Sequence, residues 1–268
     1  MTRRWVRHGL LAGAALLALG AGAAWAQESA EPPLPKPTWS FTGPFGTFDR
    51  ASLQRGFQVY NEVCSACHSM NLLAYRDLEG PSALGYSGDE VAAIAATKQV
   101  TDGPNDQGAM FQRAGRPADR FAAPFANEAA ARAANGGALP PDLSVIIKAR
   151  AGGADYVHAI LTGFRDPPKD MKMGAGMNYN LYFPGHQIAM PPPLTDDRVT
   201  FADGTKATVP QEAADVATFL AWAAEPTMEE RKRTGAKVII FLLAMTGVLY
   251  GAKRRVWSDL HDRDGSDS

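Results

Sequence analysis

The sequence predicts a mainly helical domain tied to a membrane by one C-terminal helix. Three observations carry that expectation. Leu53, Phe57, Tyr60 and Cys64 recur at i, i+4, i+7 and i+11, one face of a helix over residues 49–64. Val216, Phe219, Leu220 and Ala223 mark a second such face over residues 211–224. Residues 236–252 are apolar except for Lys237, and Arg231-Lys232-Arg233 and Lys253-Arg254-Arg255 bracket them, as cations bracket a span and rarely a buried core helix. At 268 residues, 46% of them hydrophobic, the chain is also long enough to build a core.

In chain order, residues 1–26 read as a cleaved signal peptide. Arg3, Arg4 and Arg7 supply a positive start, Leu10 to Ala23 a short apolar stretch, and Ala24-Trp25-Ala26 a small-x-small cleavage site, so the mature chain starts at Gln27. Residues 27–46 are proline-rich without periodicity and read as an extended arm, pinned by Trp39, Phe41 and Phe45. A folded domain is then expected over residues 47–226, an anchor over 227–255 and a polar tail over 256–268, disordered from about Ser258. Asp49 is placed to cap the first helix. Gly56 is costly inside that helix, which implies a partner packed too close for a side chain.

Ser87 to Lys98 reads as a short helix with Asp89 and Glu90 in its first turn, and Thr101 to Gly108 as a turn-rich loop. Asn127 to Ala134 is an Ala-rich helix stopped by Asn135-Gly136-Gly137. Residues 142–164 suggest two short helices separated by Gly152-Gly153, the first capped by Asp142. Val199 to Val209 reads as a β-hairpin turning at Asp203-Gly204. The helix at 211–224 offers an apolar face to cross the Gly56 face of the first.

The chemistry concentrates in Cys64-Ser65-Ala66-Cys67-His68, which holds both cysteines of the chain. C-x-x-C-H is the attachment signal for c-type haem. Two thiols three positions apart lie almost one helical turn apart, so both reach the vinyl groups on one edge of a porphyrin. The next residue carries an imidazole beneath the ring as an iron ligand. A zinc site would need further cysteines or a His pair, and a redox dithiol should open a helix, whereas this pair closes one. Export agrees, because c-type haem is attached outside the bacterial cytoplasm. With both cysteines committed to haem, no disulfide is expected in that oxidising compartment.

An iron with one histidine ligand needs a sixth ligand or keeps an open site, and a thioether there favours the reduced metal and suits electron transfer. Met110, Met171, Met173, Met177 and Met190 are available, with His158 and His186 as competitors. Met190 precedes three prolines, which fix its backbone. Lys148 and Arg150 are local cations that either face solvent or pair with a haem propionate. Residues 27–230 carry 16 Lys and Arg against 24 Asp and Glu, a net −8, with cations gathered at the two ends. An acidic body argues against nucleic acid and for a basic partner. A haem enzyme or gas sensor would keep its distal site open, and an anchored carrier for a terminal oxidase would share the haem site without a cytochrome b.

CSACH at 64–68, DGPN at 102–105, RAANGGALPPDLS at 132–144, GGADYV at 152–157, YFPG at 182–185, MPPPL at 190–194 and WAAEPTMEERKR at 222–233 make the chain resemble the cytochrome c1 family, the c-type haem subunits of bc1 complexes (ubiquinol–cytochrome c oxidoreductases). The likeness covers nearly all of the chain after the signal. It implies an all-α, cytochrome c-like haem domain with loop and hairpin insertions plus one C-terminal transmembrane helix. It implies one haem c bound through Cys64 and Cys67, His68 as proximal and Met190 as distal iron ligand, and Arg150 and Tyr156 beside the haem and its propionates. The implied partners are cytochrome b, the Rieske iron–sulfur protein as electron donor and a soluble cytochrome c as acceptor, in a dimeric complex of the bacterial inner membrane with the haem domain on the periplasmic side. No bond is made or broken at such a haem. Two departures stand out. The DGPN loop offers only Asp102 and Asp106 where the family often has a denser run of carboxylates, and the cysteines for an extra disulfide of some bacterial relatives are lacking.

Overall fold

The computed structural model describes residues 32–264, with side chains as far as Ser258. The chain divides into two units at Pro33, and the unit Leu34–Ser268 contains every helix and strand among the described residues. The expected signal peptide and its cleavage site lie outside the described residues.

Among the described residues there are six α-helices: α1 (Arg50–Glu62), α2 (Gly88–Ala96), α3 (Glu128–Ala134), α4 (Gly153–Thr162), α5 (Val209–Ala224) and α6 (Met228–Asp264). Two short antiparallel ladders interrupt them, β1 (Gln99–Asp102) with β2 (Phe111–Ala114) and β3 (Asn178–Tyr179) with β4 (Gln187–Ile188). The fold is therefore mainly helical rather than all-α. The helices start where cap chemistry puts them. Asp49 accepts from the Ala51 N–H at 3.1 Å, Asn127 from Ala130 at 2.9 Å, and Ser87 and Glu90 close a reciprocal capping box.

The core is the crossing of α1 and α5. Leu53, Val59, Val216, Phe219 and Trp222 are fully buried there. Phe219 packs against Phe57 (ring centroids 5.6 Å apart) and Tyr60 (5.7 Å), and Phe121 extends the cluster to Tyr75 (4.7 Å). Gly56 sits at the crossing: a Cβ there would overlap the Asp215 carbonyl and stand 2.8 Å from Phe219 Cβ. A polar seam runs beside it. The fully buried Asp215 carboxylate accepts from Ser52, from Arg55 Nε (2.7 Å) and Nη2 (3.0 Å), and from Gln211 Nε2 (2.9 Å). A buried charge with four donors is compensated, so the seam fixes the register of the two helices.

Three expectations change on contact with the structure. Residues 199–209 do turn at Asp203-Gly204, with Gly204 at φ +75°, but they form no ladder. Val199, Phe201 and Ala207 are buried instead, and the Val199 N–H donates to Glu212 of α5 (3.3 Å), so both arms spread onto the core rather than onto each other. The insertion ladder is β1–β2, closing the TDGPNDQG loop, where Arg113 pairs with both Asp102 and Asp119. In the arm, Trp39 donates to Asp155 (2.6 Å) and stacks on Phe41 (5.6 Å), and Phe41 meets Phe48 (5.2 Å). Phe45, by contrast, is exposed rather than pinned. Finally, α6 continues to Asp264, where a disordered tail from Ser258 was expected.

Residues 228–258 of α6 form a helix long and apolar enough to cross a membrane, and nothing among the described residues covers its apolar stretch. Its base is fastened to the domain. Glu229 accepts from the Phe48 N–H and Arg50 Nη2, both at 2.7 Å, and Lys232 Nζ donates to the carbonyls of Phe41 (2.8 Å) and Gly46 (3.0 Å).

Gly56→Ala should overpack the α1–α5 crossing and cost about 1–3 kcal/mol. Gly235→Ala in α6, where an added Cβ meets nothing within 4 Å, should lose no stability in a denaturant titration of the detergent-solubilised chain, and helix propensity adds up to about 1 kcal/mol. Equal stability of the Gly56 variant would show that the two helices do not meet there.

Candidate functional site

The C-terminal end of α1 delivers the cysteine motif. Val63 closes the helix through its N–H to the Val59 carbonyl, and Cys64–Ala66 tighten into a 3₁₀ turn in which the N–H groups of Cys67 (3.1 Å) and His68 (2.9 Å) both bond the Cys64 carbonyl. Cys64 is half-buried and Cys67 exposed. Burial, aided by the neighbouring Cys67, pushes the Cys64 thiol up to about 12. A redox dithiol needs the opposite, a helix N-terminus that lowers a thiolate pKa. The position of the pair at a helix C-terminus is compatible with covalent haem attachment.

The His68 ring is held by its outer nitrogen. Nδ1 lies 2.8 Å from the Pro141 carbonyl, an acceptor, so Nδ1 carries the proton and Nε2 keeps its lone pair for a metal. Burial holds the ring's pKa below its usual value, against the Pro141 bond and the Asp142 charge, which act to raise it. A neutral imidazole at neutral pH is the ligating form.

The segment supplying Pro141 is zipped to the motif. Asp142 accepts from Ser69 Oγ, the Asn71 N–H and the Ser144 N–H, each at 2.8 Å. The Leu143 N–H bonds the Ser69 carbonyl (2.9 Å) and the Leu72 N–H bonds Ser144 Oγ (3.0 Å). Burial works against the Asp142 carboxylate, but hydrogen bonds from Ser144, Asn71 and Ser69 outweigh it and hold the carboxyl below its ordinary value. This corrects the expected helix at 142–150. Asp142 is tied across to residues 69–71, and the chain after it winds as turns that bury Leu143 and Ile146.

Among the methionine candidates for the opposite ligand, exposure sets only Met110 apart. Met190 is half-buried directly after β4, with Pro191 and Pro192 exposed beyond it. Met110 is 60% exposed on the β1–β2 loop, which removes it as a buried thioether; Met171, Met173 and Met177 are half-buried in the segment before β3. His158 meets Trp39 edge-on (6.1 Å) and the Pro210 backbone. His186 sits in the left-handed region at φ +58°, its Nδ1 3.3 Å from the Asn180 carbonyl and its ring against Tyr179 (5.6 Å). Neither set of contacts occupies both ring nitrogens, and His158 Nδ1 is buried without a hydrogen-bond partner. Arg150 is exposed and donates to the Ala149 carbonyl (2.9 Å), Tyr156 is half-buried on α4, and Lys148 pairs with Glu225 (3.6 Å).

Asn180 was not legible from spacing, yet it organises this side. It is fully buried; its Nδ2 donates to the Ile160 carbonyl (2.7 Å) and its Oδ1 accepts from the Tyr182 N–H (3.1 Å). Its own N–H bonds the His186 carbonyl (3.0 Å), and Leu181 N–H bonds the Gly163 carbonyl (2.9 Å). The end of α4 and the β3–β4 turn leading to Met190 are therefore one unit. Two thiols, one neutral imidazole with Nε2 to offer and a thioether on a clamped turn form a donor set that fits haem c. No three His, Cys, Asp or Glu side chains gather as a metal group among the described residues, as a zinc site would require.

The Cytochrome C1 family profile matches residues 39–260. The chain is 46% identical over 271 residues to cytochrome c1 of Rhodospirillum rubrum, covering 95% of this chain and 98% of that one. It is 52% identical over 230 residues to a mitochondrial cytochrome c1 haem protein of Arabidopsis thaliana, covering 85% and 74%. Against cytochrome b/c1 of Bradyrhizobium diazoefficiens it is 50% identical over 255 residues, 88% of this chain but 37% of that longer protein.

Asn180→Ala should leave the Ile160 carbonyl and the Tyr182 N–H unpaired, at about 1–3 kcal/mol for each buried group. Amide exchange over residues 178–190 should quicken about tenfold or more while α1 keeps its protection. Unchanged exchange there would remove Asn180 as the clamp.

Proposed function

This chain belongs to the cytochrome c1 family, and from that premise we propose that it is a membrane-anchored c-type cytochrome that takes single electrons from a Rieske iron–sulfur protein and passes them to a soluble cytochrome c within a quinol-oxidising bc1 complex. The single observation that carries this reading is the His68 ring, fixed through Nδ1 by Pro141 one residue past the two cysteines. When bound, haem c supplies a one-electron iron couple. Cys64 and Cys67 would hold it through thioethers, and His68 through Nε2 and Met190 through its sulfur would ligate the iron. Arg150, with an exposed guanidinium, and Tyr156 on α4 stand for the propionates. No bond is made or broken in the protein's own chemistry.

The net −8 of residues 27–230 steers a basic acceptor over several ångströms without requiring dense carboxylates on the DGPN loop. The export-signal pattern of residues 1–26 and Lys253-Arg254-Arg255 after the span support a haem domain on the periplasmic side of a bacterial inner membrane, the cations remaining inside. Cytochrome b is the membrane partner, in a dimeric complex.

Purification through this chain in mild detergent should bring b-type haem in a fixed ratio, and quinol should reduce the c-haem of that preparation. A c-haem arriving without b-type haem would identify an independent anchored carrier instead. Met190→Leu should retain covalent haem but lower the midpoint potential by on the order of 0.1 V or more. An unchanged potential would assign the distal ligand to another residue.

A further inference from the structure

Both ends of the loop Phe41–Gly46 are fastened to one residue of α6, because Lys232 Nζ holds the carbonyls of Phe41 (2.8 Å) and Gly46 (3.0 Å). At its tip Phe45 is 85% exposed, the most exposed large apolar side chain among the described residues. We propose that this loop is a second membrane contact, with Phe45 seated at the boundary between lipid headgroups and acyl chains beside the start of the span. The proposal rests on α6 being that span.

The depth follows from helix geometry. The apolar run of residues 236–252 rises only about 25 Å at ~1.5 Å per residue, short of a hydrocarbon core of about 30 Å. The boundary therefore lies nearer Arg233 and Thr234 than Ala236. Lys232 is one residue above Arg233, and the headgroup layer is about 5–7 Å thick on each side, so a loop tied to Lys232 lies within it. An aromatic ring is well suited to that layer. The exposed cation Arg233 supplies complementary charge for anionic headgroups at that level, and Lys237, one helical turn deeper, reaches towards it by snorkelling. The half-buried Phe41, four residues before Phe45, packs against the buried Phe48, so the chain sequesters rings close by. Phe45 is left outside on a loop that cannot drift from the helix.

The test uses the full holoprotein in vesicles of phosphatidylethanolamine and phosphatidylglycerol. Phe45→Cys takes a nitroxide at a single position, since both native cysteines are held by haem. Power saturation then compares oxygen, which partitions into lipid, with a water-soluble nickel chelate. Leu243→Cys in mid-span and Met110→Cys on the β1–β2 loop set the two limits. Position 45 should fall between them, with an oxygen-to-nickel accessibility ratio clearly above that of position 110. A ratio equal to that of position 110 would place the loop in water. Shielding from both reagents would place it under a protein partner, and either result overturns the proposal. A water-like result at position 243 would overturn the span itself and is distinguishable from both. Phe45→Trp, read as added quenching by brominated lipid over the parent protein, checks the result without a new cysteine.

Discussion

The close crossing of α1 and α5 at Gly56 is the constraint on which the site depends. With no side chain at that position, the α5 backbone at Asp215 approaches closely enough for Ser52 and Arg55 to reach its carboxylate, and for Phe219 to enter the ring cluster of Phe57 and Tyr60. That register decides where α1 ends. The cysteine turn follows at once, so helix packing about two turns upstream sets the position of the thiols. A looser crossing would leave the motif intact in sequence and misplaced in space.

Two polar clamps finish what packing begins, and they work differently. On the His68 side, Asp142 gathers donors from residues 69, 71 and 144, and the prolines before it cannot use their nitrogens, so the Pro141 carbonyl is directed to the imidazole. On the Met190 side, one buried amide, Asn180, joins α4 to the β3–β4 turn. A carboxylate serves where several N–H and O–H donors converge. An amide serves where a carbonyl and an N–H must both be satisfied.

Legibility tracked the range of the interaction. The faces of α1 and α5, the cap at Asp49 and the apolar α6 rest on local spacing, and residue patterns displayed them. So did Cys64, Cys67 and His68, whose chemistry needs adjacent residues. Gly56 was legible for a related reason: a helix former's place held by glycine signals a neighbour. The misses are long-range. Asp142 resembles a helix cap until Ser69 and Asn71 claim it, and Val199 to Val209 alternates like a hairpin until the core takes Val199, Phe201 and Ala207. The β1–β2 strands are largely exposed and polar, so they carried no alternating signal, and a lone Asn180 carried none at all. Met190 was singled out by its prolines and Arg150 was one of two local cations, whereas Tyr156 came from the family resemblance alone.

The junction at the base of α6 links the membrane to the site through a short mechanical path. Glu229 holds the Phe48 N–H and Arg50, which flank the N-terminus of α1, and Lys232 holds the loop just before it. The 13 residues of α1 then rise about 20 Å to the cysteine turn. The anchor, the start of α1 and the cysteine turn are therefore connected by hydrogen bonds and one continuous helix, with no linker between them. A linker would let the site wander over a range set by its length. Here the site stands at a defined remove from the anchor.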